Sequence, residues 1–303
     1  RNSDLLLTIF KSGDFRDDSG LYITYGDFSF LTAVDSNDLN FSRHPKNLTV
    51  YASNFAGGAS GFPICFDTFT ETQKLDLIEK NRKAIKAVVS GIVRKIKPKY
   101  YLPYAGFFKE RALRDKYIRE NNFKNSVEEF YNITKETLTL DVTHKDEFNF
   151  LDSHLSSSSF IERIPDFPEN PEEFMESTFE NSSVNKKYIE DYFYNSGFKD
   201  QLILYLNILE NETVTNKMSV DFSKEEIEVS FRDYDWEKIK EEKIHSAGII
   251  RALQLEVRKD SFYWVLKNKK SWEDLSIGFQ CRIDRVPDVY NVDFWFHFTN
   301  IYI

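Results

Sequence analysis

The stretch Asn54-Phe-Ala-Gly-Gly-Ala-Ser-Gly-Phe-Pro-Ile-Cys-Phe-Asp67 joins a strand-like run at residues 48–52 to a long helical pattern. It holds three glycines within five positions, Gly57, Gly58 and Gly61. Glycine permits positive φ and lets a ligand or another backbone approach closely. The stretch therefore predicts a tight, specialised connection whose amide groups could face an anion.

Two interpretations of this glycine loop stay open. Its spacing is neither Gly-x-x-x-x-Gly-Lys-Ser/Thr nor Gly-x-Gly-x-x-Gly, the two familiar phosphate-binding patterns. A structural turn beneath Phe62-Pro63 is the alternative to a ligand-binding loop. The loop alone does not decide between them.

The residues before the loop predict a meander of β-strands. Apolar, β-branched and aromatic runs alternate there with turn sequences such as Tyr25-Gly-Asp27. The predicted strands cover residues 5–10, 21–25, 28–34 and 48–52.

The residues after the loop predict a helix and a further strand. Thr70-Glu-Thr-Gln73 is a capping box, and Pro98 ends the helix. Residues 100–103 then form a strand that joins the sheet in parallel after this crossover. The helix has apolar residues at spacings of three and four, which predicts one buried stripe: Leu75, Ile78, Ile85, Val88, Val89, Ile92 and Ile96.

This order of strand, loop, helix and strand is an α/β unit, in which ligands gather at the carboxyl ends of strands. Asp35 directly follows the third predicted strand. A carboxylate there is well placed for a metal or a substrate, although an Asx-type turn is the alternative. We expect Asp35 and the glycine loop to lie along one rim of the sheet.

Several short blocks, in order, resemble the second half of the metallo-β-lactamase-fold domain of CMP-N-acetylneuraminate hydroxylases and their bacterial relatives. The likeness begins with the glycine loop and extends across nearly the whole chain. The further blocks are Tyr101-Leu-Pro-Tyr-Ala-Gly-Phe-Phe108, Asp115-Lys-Tyr-Ile118, Gly197-Phe-Lys-Asp200, Ile244-His-Ser246, Ile277-Gly-Phe-Gln280, Asp288-Val-Tyr290 and Phe294-Trp295.

The resemblance implies an α/β fold. It would be a half or partial metallo-β-lactamase-like αβ/βα sandwich, followed by an α+β C-terminal region. Asp35 matches a metal ligand of the family, and the glycine loop would shape a site for a small anionic substrate. Where the animal enzyme has a histidine, this chain offers Lys109 and its neighbours. The implied substrate-binding residues are Gly57, Gly58, Ser60, Gly61, Lys109, Arg282 and Arg285.

A complete metal site of this family needs a His-x-His-x-Asp-His motif, since imidazole and carboxylate suit zinc and iron. The five histidines here, His44, His144, His154, His245 and His297, are never closer than ten residues in sequence. We therefore expect iron or zinc only if an upstream half or a partner chain supplies the motif. The Rieske iron–sulfur domain of the animal hydroxylase is likewise not found in these residues. His245 is interpreted as structural.

Arg282 and Arg285 lie three residues apart beside Asp284 and Asp288. If helical, the two arginines share one face and would suit an anionic substrate, because guanidinium binds phosphate and carboxylate in bidentate fashion. A surface cluster of ion pairs is the alternative. Cys65 has apolar neighbours and is predicted to be buried and unreactive.

The C-terminal part mixes predicted strands at residues 202–209, 217–222 and 226–231 with helices, among them an amphipathic helix carrying Ile249, Leu253 and Val257. Residues 126–135 and 184–195 also predict helices. A stretch rich in serine, proline and acidic residues lies before this part. We predict three segments: 1–145, a linker at 146–170, and 171–303.

Composition narrows the class of protein. A net charge of −9 argues against a nucleic-acid partner, and the chain has no run of about eighteen apolar residues that would span a membrane. Two cysteines exclude a disulfide scaffold and predict a cytoplasmic protein. Because Arg1 is followed at once by a predicted strand, we expect a piece of a longer protein.

The sequence is compatible with three functions. The first is part of an iron-dependent oxygenase that acts on an anionic sugar nucleotide. The second is a hydrolase of the same fold, and the third is a non-catalytic binding protein that has lost its metal site. Fold alone does not separate them.

Overall fold

The computed structural model describes residues 4–13, 18–33, 36, 43–57, 61–106, 110–141, 147–149, 156–158, 170–180 and 182–301. The chain forms two compact units that alternate along the sequence. Unit 1 comprises residues 1–58, 76–109 and 122–167, and unit 2 comprises 59–75, 110–121 and 168–303. The division at 146–170 stays a prediction, and most of that segment lies outside the described residues.

Unit 1 contains a six-stranded sheet in sequential order. Its first three strands are antiparallel, and the last four are mutually parallel. The strands predicted before and after the glycine loop are confirmed, including the parallel strand after the helix. The strands are β1 (Leu6–Lys11), β2 (Ser19–Tyr25), β3 (Phe28–Ala33), β4 (Val50–Ser53), β5 (Tyr100–Pro103) and β6 (Leu138–Thr139).

Helix α1 (Glu71–Ile96) begins at the predicted capping box. The amide of Thr70 donates to Gln73 Oε1 at 2.8 Å, and the amide of Gln73 donates to Thr70 Oγ1 at 3.4 Å. Beyond its first turn, the apolar stripe of α1 packs on the sheet of unit 1 through Val89, Val93 and Ile96. Of the predicted stripe, Ile85 and Ile92 are half-buried, and two further members are exposed.

Leu75 is 42% exposed and Val88 is 47% exposed. Each helical residue turns the side chain by about 100°, so Val88 lies well to one side of its buried neighbour Val89. The prediction placed both Val88 and Val89 in the buried stripe. The sheet covers a narrower arc of the helix surface, which includes Val89 but not Val88.

One face of the unit 1 sheet carries large apolar side chains that no described residue covers fully. Leu7 and Ile9 of β1 point to this face and are 61% and 74% exposed. They lie opposite Ile23 and Leu21 of β2, which are half-buried. Strand β1 is also the edge of the sheet as described.

The remaining secondary-structure elements of unit 1 are short. The helix predicted for residues 126–135 is only one 3₁₀ turn, Val127–Phe130, after which the chain becomes extended at Tyr131. Strands β7 (Glu147–Asn149) and β8 (Ser156–Ser158) pair within the predicted linker.

Unit 2 is built on a five-stranded sheet in the order β11-β10-β9-β12-β13. Strands β9 and β12 are parallel, and the other neighbours are antiparallel. The strands are β9 (Leu202–Glu210), β10 (Thr213–Asp221), β11 (Glu228–Ser230), β12 (Arg251–Arg258) and β13 (Cys281–Val286).

The amphipathic helix predicted around Leu253 and Val257 is wrong, because these residues belong to strand β12. Ala252, Leu253, Leu255 and Val257 are all buried. The strand runs between β9 and β13 and is covered on both faces, so apolar residues fill it almost continuously.

Helices and a dense aromatic core complete unit 2. Trp272, Phe193, Phe294 and Phe298 are fully buried and are linked to one another by ring contacts. The helices are α2 (Lys116–Asn121), α3 (Pro171–Phe179), α4 (Lys186–Asn195), α5 (Trp236–Glu241), α6 (Lys243–Ser246), α7 (Lys259–Lys267), α8 (Glu273–Ile277) and α9 (Val292–Asn300).

Both large sheets are mixed, and the predicted α/β class is confirmed. Among the described residues, none of the helices combines the length and the apolar character needed to cross a lipid bilayer.

Candidate functional site

The structure describes only some of the residues that were predicted to form the site. Asp35, Gly58, Ser60 and Lys109 lie outside the described residues. The predicted closeness of Asp35 to the glycine loop therefore stays a prediction. The carboxyl ends of β3, β4 and β5 do lie at one edge, since these strands are parallel and in register.

The glycine loop starts in one unit and ends in the other. Gly57 has φ +74°, and a Cβ there would lie 2.8 Å from Ile85 Cδ1. Gly61 has φ +70°, and a Cβ there would lie 2.6 Å from the carbonyl oxygen of Ser276. Both glycines are needed for backbone conformation and close packing, whatever else the loop does.

Arg282 and Arg285 do not share a face, because they lie on strand β13 and not on a helix. Side chains three residues apart on a strand point to opposite faces. Arg285 bonds Asp288 Oδ1 at 2.7 Å and stacks on Phe66, with the ring centroid 5.1 Å away. The two guanidinium groups therefore do not share a helix face, and their contact with a substrate stays a prediction.

Arg282 instead joins a cluster of charged side chains around Tyr117. Its guanidinium lies 4.4 Å from the centre of the Tyr117 ring. The Tyr117 hydroxyl donates to Glu71 Oε2 at 2.5 Å, and this bond holds the pKa of Glu71 below its usual value. Lys74 is 3% exposed and lies 3.1 Å from both Glu71 and Asp67. Burial opposes its charge, but these bonds outweigh burial and raise the pKa of Lys74.

A second polar network in unit 2 joins two arginines through one glutamine side chain. Gln280 Oε1 accepts from Arg114 Nη2 at 2.7 Å and from Arg258 Nη1 at 3.2 Å. Arg258 also bonds Asp115 Oδ1 at 2.5 Å and the carbonyl oxygen of Arg114 at 2.7 Å. Arg114 bonds Asp260 at 2.5 Å. Two guanidinium groups therefore meet at one neutral amide oxygen.

A cleft of about 690 Å³ lies above this network, entirely within unit 2. Arg114 and Arg258 line it, together with Phe179 from the end of α3 and Glu212 from the β9–β10 turn. Its volume is within the range of sites that hold small molecules. It is therefore a candidate site for a small molecule.

Sequence reasoning missed Arg114, Arg258 and Asp260. Arg114 is more than a hundred positions away from Arg258 and Asp260, and no local pattern links it to them. A signal did exist, because two of the blocks that carried the resemblance supply their partners. Asp115 opens one block and Gln280 closes another, and both bond Arg258.

The two histidines and two cysteines of unit 2 lie outside both polar networks. His245 is buried, with Nδ1 2.7 Å from the carbonyl oxygen of Ile250, and His297 Nε2 lies 2.8 Å from that of Ser196. Cys65 and Cys281 are buried free thiols. Burial raises the pKa of Cys65 to about 12, which supports the prediction that it is unreactive.

Iron or zinc would need a set of three or four donors. No group of three or more histidine, cysteine, aspartate or glutamate side chains in the described part of the chain could hold a metal ion. The described residues therefore do not fit the implied metal.

Comparison with known proteins gives consistent relatives. The chain is 31% identical to the cytidine monophosphate-N-acetylneuraminic acid hydroxylase of Macaca mulatta, over 93% of this chain and 49% of that protein. It is 30% identical to the Sus scrofa hydroxylase, over 93% and 66%. A Homo sapiens relative, named as an inactive form of this hydroxylase, is 30% identical over 93% and 58%. The chain thus spans about half the length of the macaque protein.

No protein-family model matches the chain. Among solved structures, Sterol Carrier Protein-2 like-3 from Aedes aegypti aligns with 37% of this chain and 91% of its own. The TM-score is 0.26 at 12% identity, a likeness too low to support any argument.

Proposed function

We propose, on the premise that this chain belongs to the family of the cytidine monophosphate-N-acetylneuraminic acid hydroxylases, that it is part of an enzyme that hydroxylates an anionic sugar nucleotide. The observation that carries the proposal is identity of about 30% sustained over 93% of the chain. Since the chain covers 49% of the macaque relative, the rest of the protein would complete the activity.

The proposed metal chemistry depends on residues beyond the described part. Iron or zinc would be held by Asp35 together with histidines from an upstream half or a partner chain. A bound metal would supply an activated oxygen species or a Lewis acid. The residues of this chain would contribute substrate contacts. Of the predicted contact residues, the structure describes Gly57, Gly61, Arg282 and Arg285.

The exposed apolar side chains of strand β1 support the need for a further segment. Exposed contiguous apolar surface of this kind usually marks an interface, and an open edge strand invites pairing. We propose that the remaining part of a metallo-β-lactamase-like domain packs over Leu7 and Ile9. Ile9→Lys should then abolish association with that part. Thr8→Lys, whose exposed side chain points to the other face of β1, should weaken it far less in a pull-down.

The activity is tested by assaying a longer protein that contains this chain for hydroxylation of CMP-N-acetylneuraminic acid, with metal content measured alongside. Asp35→Ala should lose metal and activity together. Asp27→Ala, in the exposed β2–β3 turn, should keep both. His245→Ala should lose far less activity than Asp35→Ala, because its ring is bonded to a backbone carbonyl.

The other two functions are outcomes of the same experiment. Metal-dependent hydrolysis without oxygen consumption would favour the hydrolase. A folded, metal-free protein without turnover would favour the non-catalytic protein, and the name of the human relative supports keeping that outcome in view. Full activity in Asp35→Ala would overturn the proposed ligand.

A further inference from the structure

Two arginines in the wall of the unit 2 cleft are held in place by hydrogen bonds. Arg114 and Arg258 have side chains only 20% and 14% exposed. Gln280, Ser261 and Asp115 hold them from below, so they do not need to reorganise when a ligand enters. Polar groups held in this way favour binding because little conformational freedom is lost.

The charges on the cleft wall are already paired with one another. Arg114 pairs with Asp260 at 2.5 Å, Arg258 Nε with Glu212 at 3.0 Å, and Lys259 with Glu210 at 3.0 Å. The three carboxylates are 39%, 60% and 51% exposed, and each keeps lone pairs that can accept further hydrogen bonds. Glu180 adds a further carboxylate to the lining.

This arrangement discriminates between classes of ligand. An anion would meet an excess of carboxylates, and a cation would have to compete with guanidinium and ammonium groups for them. A neutral ligand rich in hydroxyl groups can donate to the carboxylates and leave every ion pair intact. Charged ligands would therefore bind less well than neutral ones.

The lining also offers apolar contact. The Phe179 ring lies 5.7 Å from the Arg114 guanidinium and is packed edge-on by Trp264, with ring centroids 6.1 Å apart. Tyr263 and Leu209 line the same cleft. Such surfaces suit the C–H faces of a pyranose ring, whose hydroxyls point to the rim.

We propose that the cleft of unit 2 binds a neutral, hydroxyl-rich ligand of the size of a mono- or disaccharide. This proposal does not depend on the hydroxylase activity. Since all the lining residues belong to unit 2, it should function in the 303-residue chain as it stands.

The test is ligand-observed NMR and calorimetry on the whole chain with N-acetylglucosamine, maltose, lactose and cellobiose. Glucuronate and glucosamine serve as the charged counterparts. Saturable binding of at least one neutral sugar, at least tenfold tighter than both charged ones, is expected. No binding by any neutral probe, or tighter binding of a charged one, would overturn the proposal.

Location is tested by Ser183→Trp, which places an indole in the cleft from an exposed lining position. The matched control is Lys238→Trp on α5, whose side chain is 81% exposed and outside the cleft. Ser183→Trp should weaken sugar binding at least tenfold, and the control should leave it unchanged. Equal affinity in both variants would place binding elsewhere and refute the assignment.

Discussion

Individual residues around the unit 2 cleft show how a protein holds like charges close together. Arg114 and Arg258 both donate to the neutral oxygen of Gln280, and Asp115 and Asp260 balance their charges nearby. Guanidinium is suited to this role because its five donors form a rigid planar fork. The geometry depends on side chains brought together from distant positions, so it could not be predicted from local sequence.

Glu212 carries backbone strain at the rim of this cleft. Asn211 and Glu212 form the two-residue turn between β9 and β10, with φ of +51° and +57°. Positive φ at both positions matches a type I′ turn, for which Asn-Gly is the preferred sequence. A glutamate in the left-handed region costs about 1 kcal/mol or slightly more.

Glu212→Gly should therefore raise the free energy of unfolding by up to about 1 kcal/mol, because the strain outweighs an ion pair with a carboxylate that is 60% exposed. Glu212→Gln, which keeps the strain and loses the pair, should be neutral or slightly destabilising. Urea unfolding of both variants measures the difference. A glycine variant less stable than the glutamine variant would contradict this account.

At the scale of elements, prediction succeeded where the hydrophobic period was unambiguous. The alternating strands and capped helix of unit 1 were predicted correctly, because their patterns and caps agree. Strand β12 was not, since Ile249, Leu253 and Val257 lie four apart, a spacing compatible with both a helix and a strand. Leu255 adds the period of two that indicates a strand, but a strand buried on both faces obscures it.

Helix α1 allows a prediction with an internal control. Val93 is fully buried against the sheet of unit 1, whereas Val88, on the same helix, is 47% exposed. Val93→Ala should lower the free energy of unfolding by about 2 kcal/mol, from lost burial and a residual cavity. Val88→Ala should be neutral or slightly stabilising, because alanine is the better helix former.

Denaturant titration of the two valine variants compares them directly. Equal destabilisation would mean that α1 packs on the sheet through a different face.

For the whole molecule, buried tyrosines set a limit on alkaline stability. Burial raises the pKa of Tyr51 and of Tyr205 to about 12, from an ordinary value of 10.0. Unfolded chains release these protons at lower pH than the folded protein does. The contribution of these tyrosines to the free energy of unfolding is therefore fully present below pH 10.0 and is lost as the pH rises towards 12. The loss is up to about 1.4 kcal/mol per pH unit for each fully buried tyrosine.

Thermal melts across this range, read with tyrosinate absorbance, should show ionisation of the buried rings only as the protein unfolds. Tyr51→Phe should reduce the alkaline loss of stability. Tyr25→Phe, at a ring 54% exposed, should not. Free ionisation of Tyr51 in the folded protein would show that the ring is accessible to solvent.

The alternation of the two units along the chain has a consequence for how the protein is synthesised. Residues 59–75 and 110–121 belong to unit 2 but leave the ribosome long before most of it. Asp67, for example, donates its amide to Ile283, which is made more than two hundred residues later. Because such distant contacts close slowly, the early segments must wait without their partners during translation. We expect the nascent chain to rely on chaperones until its last strand has emerged.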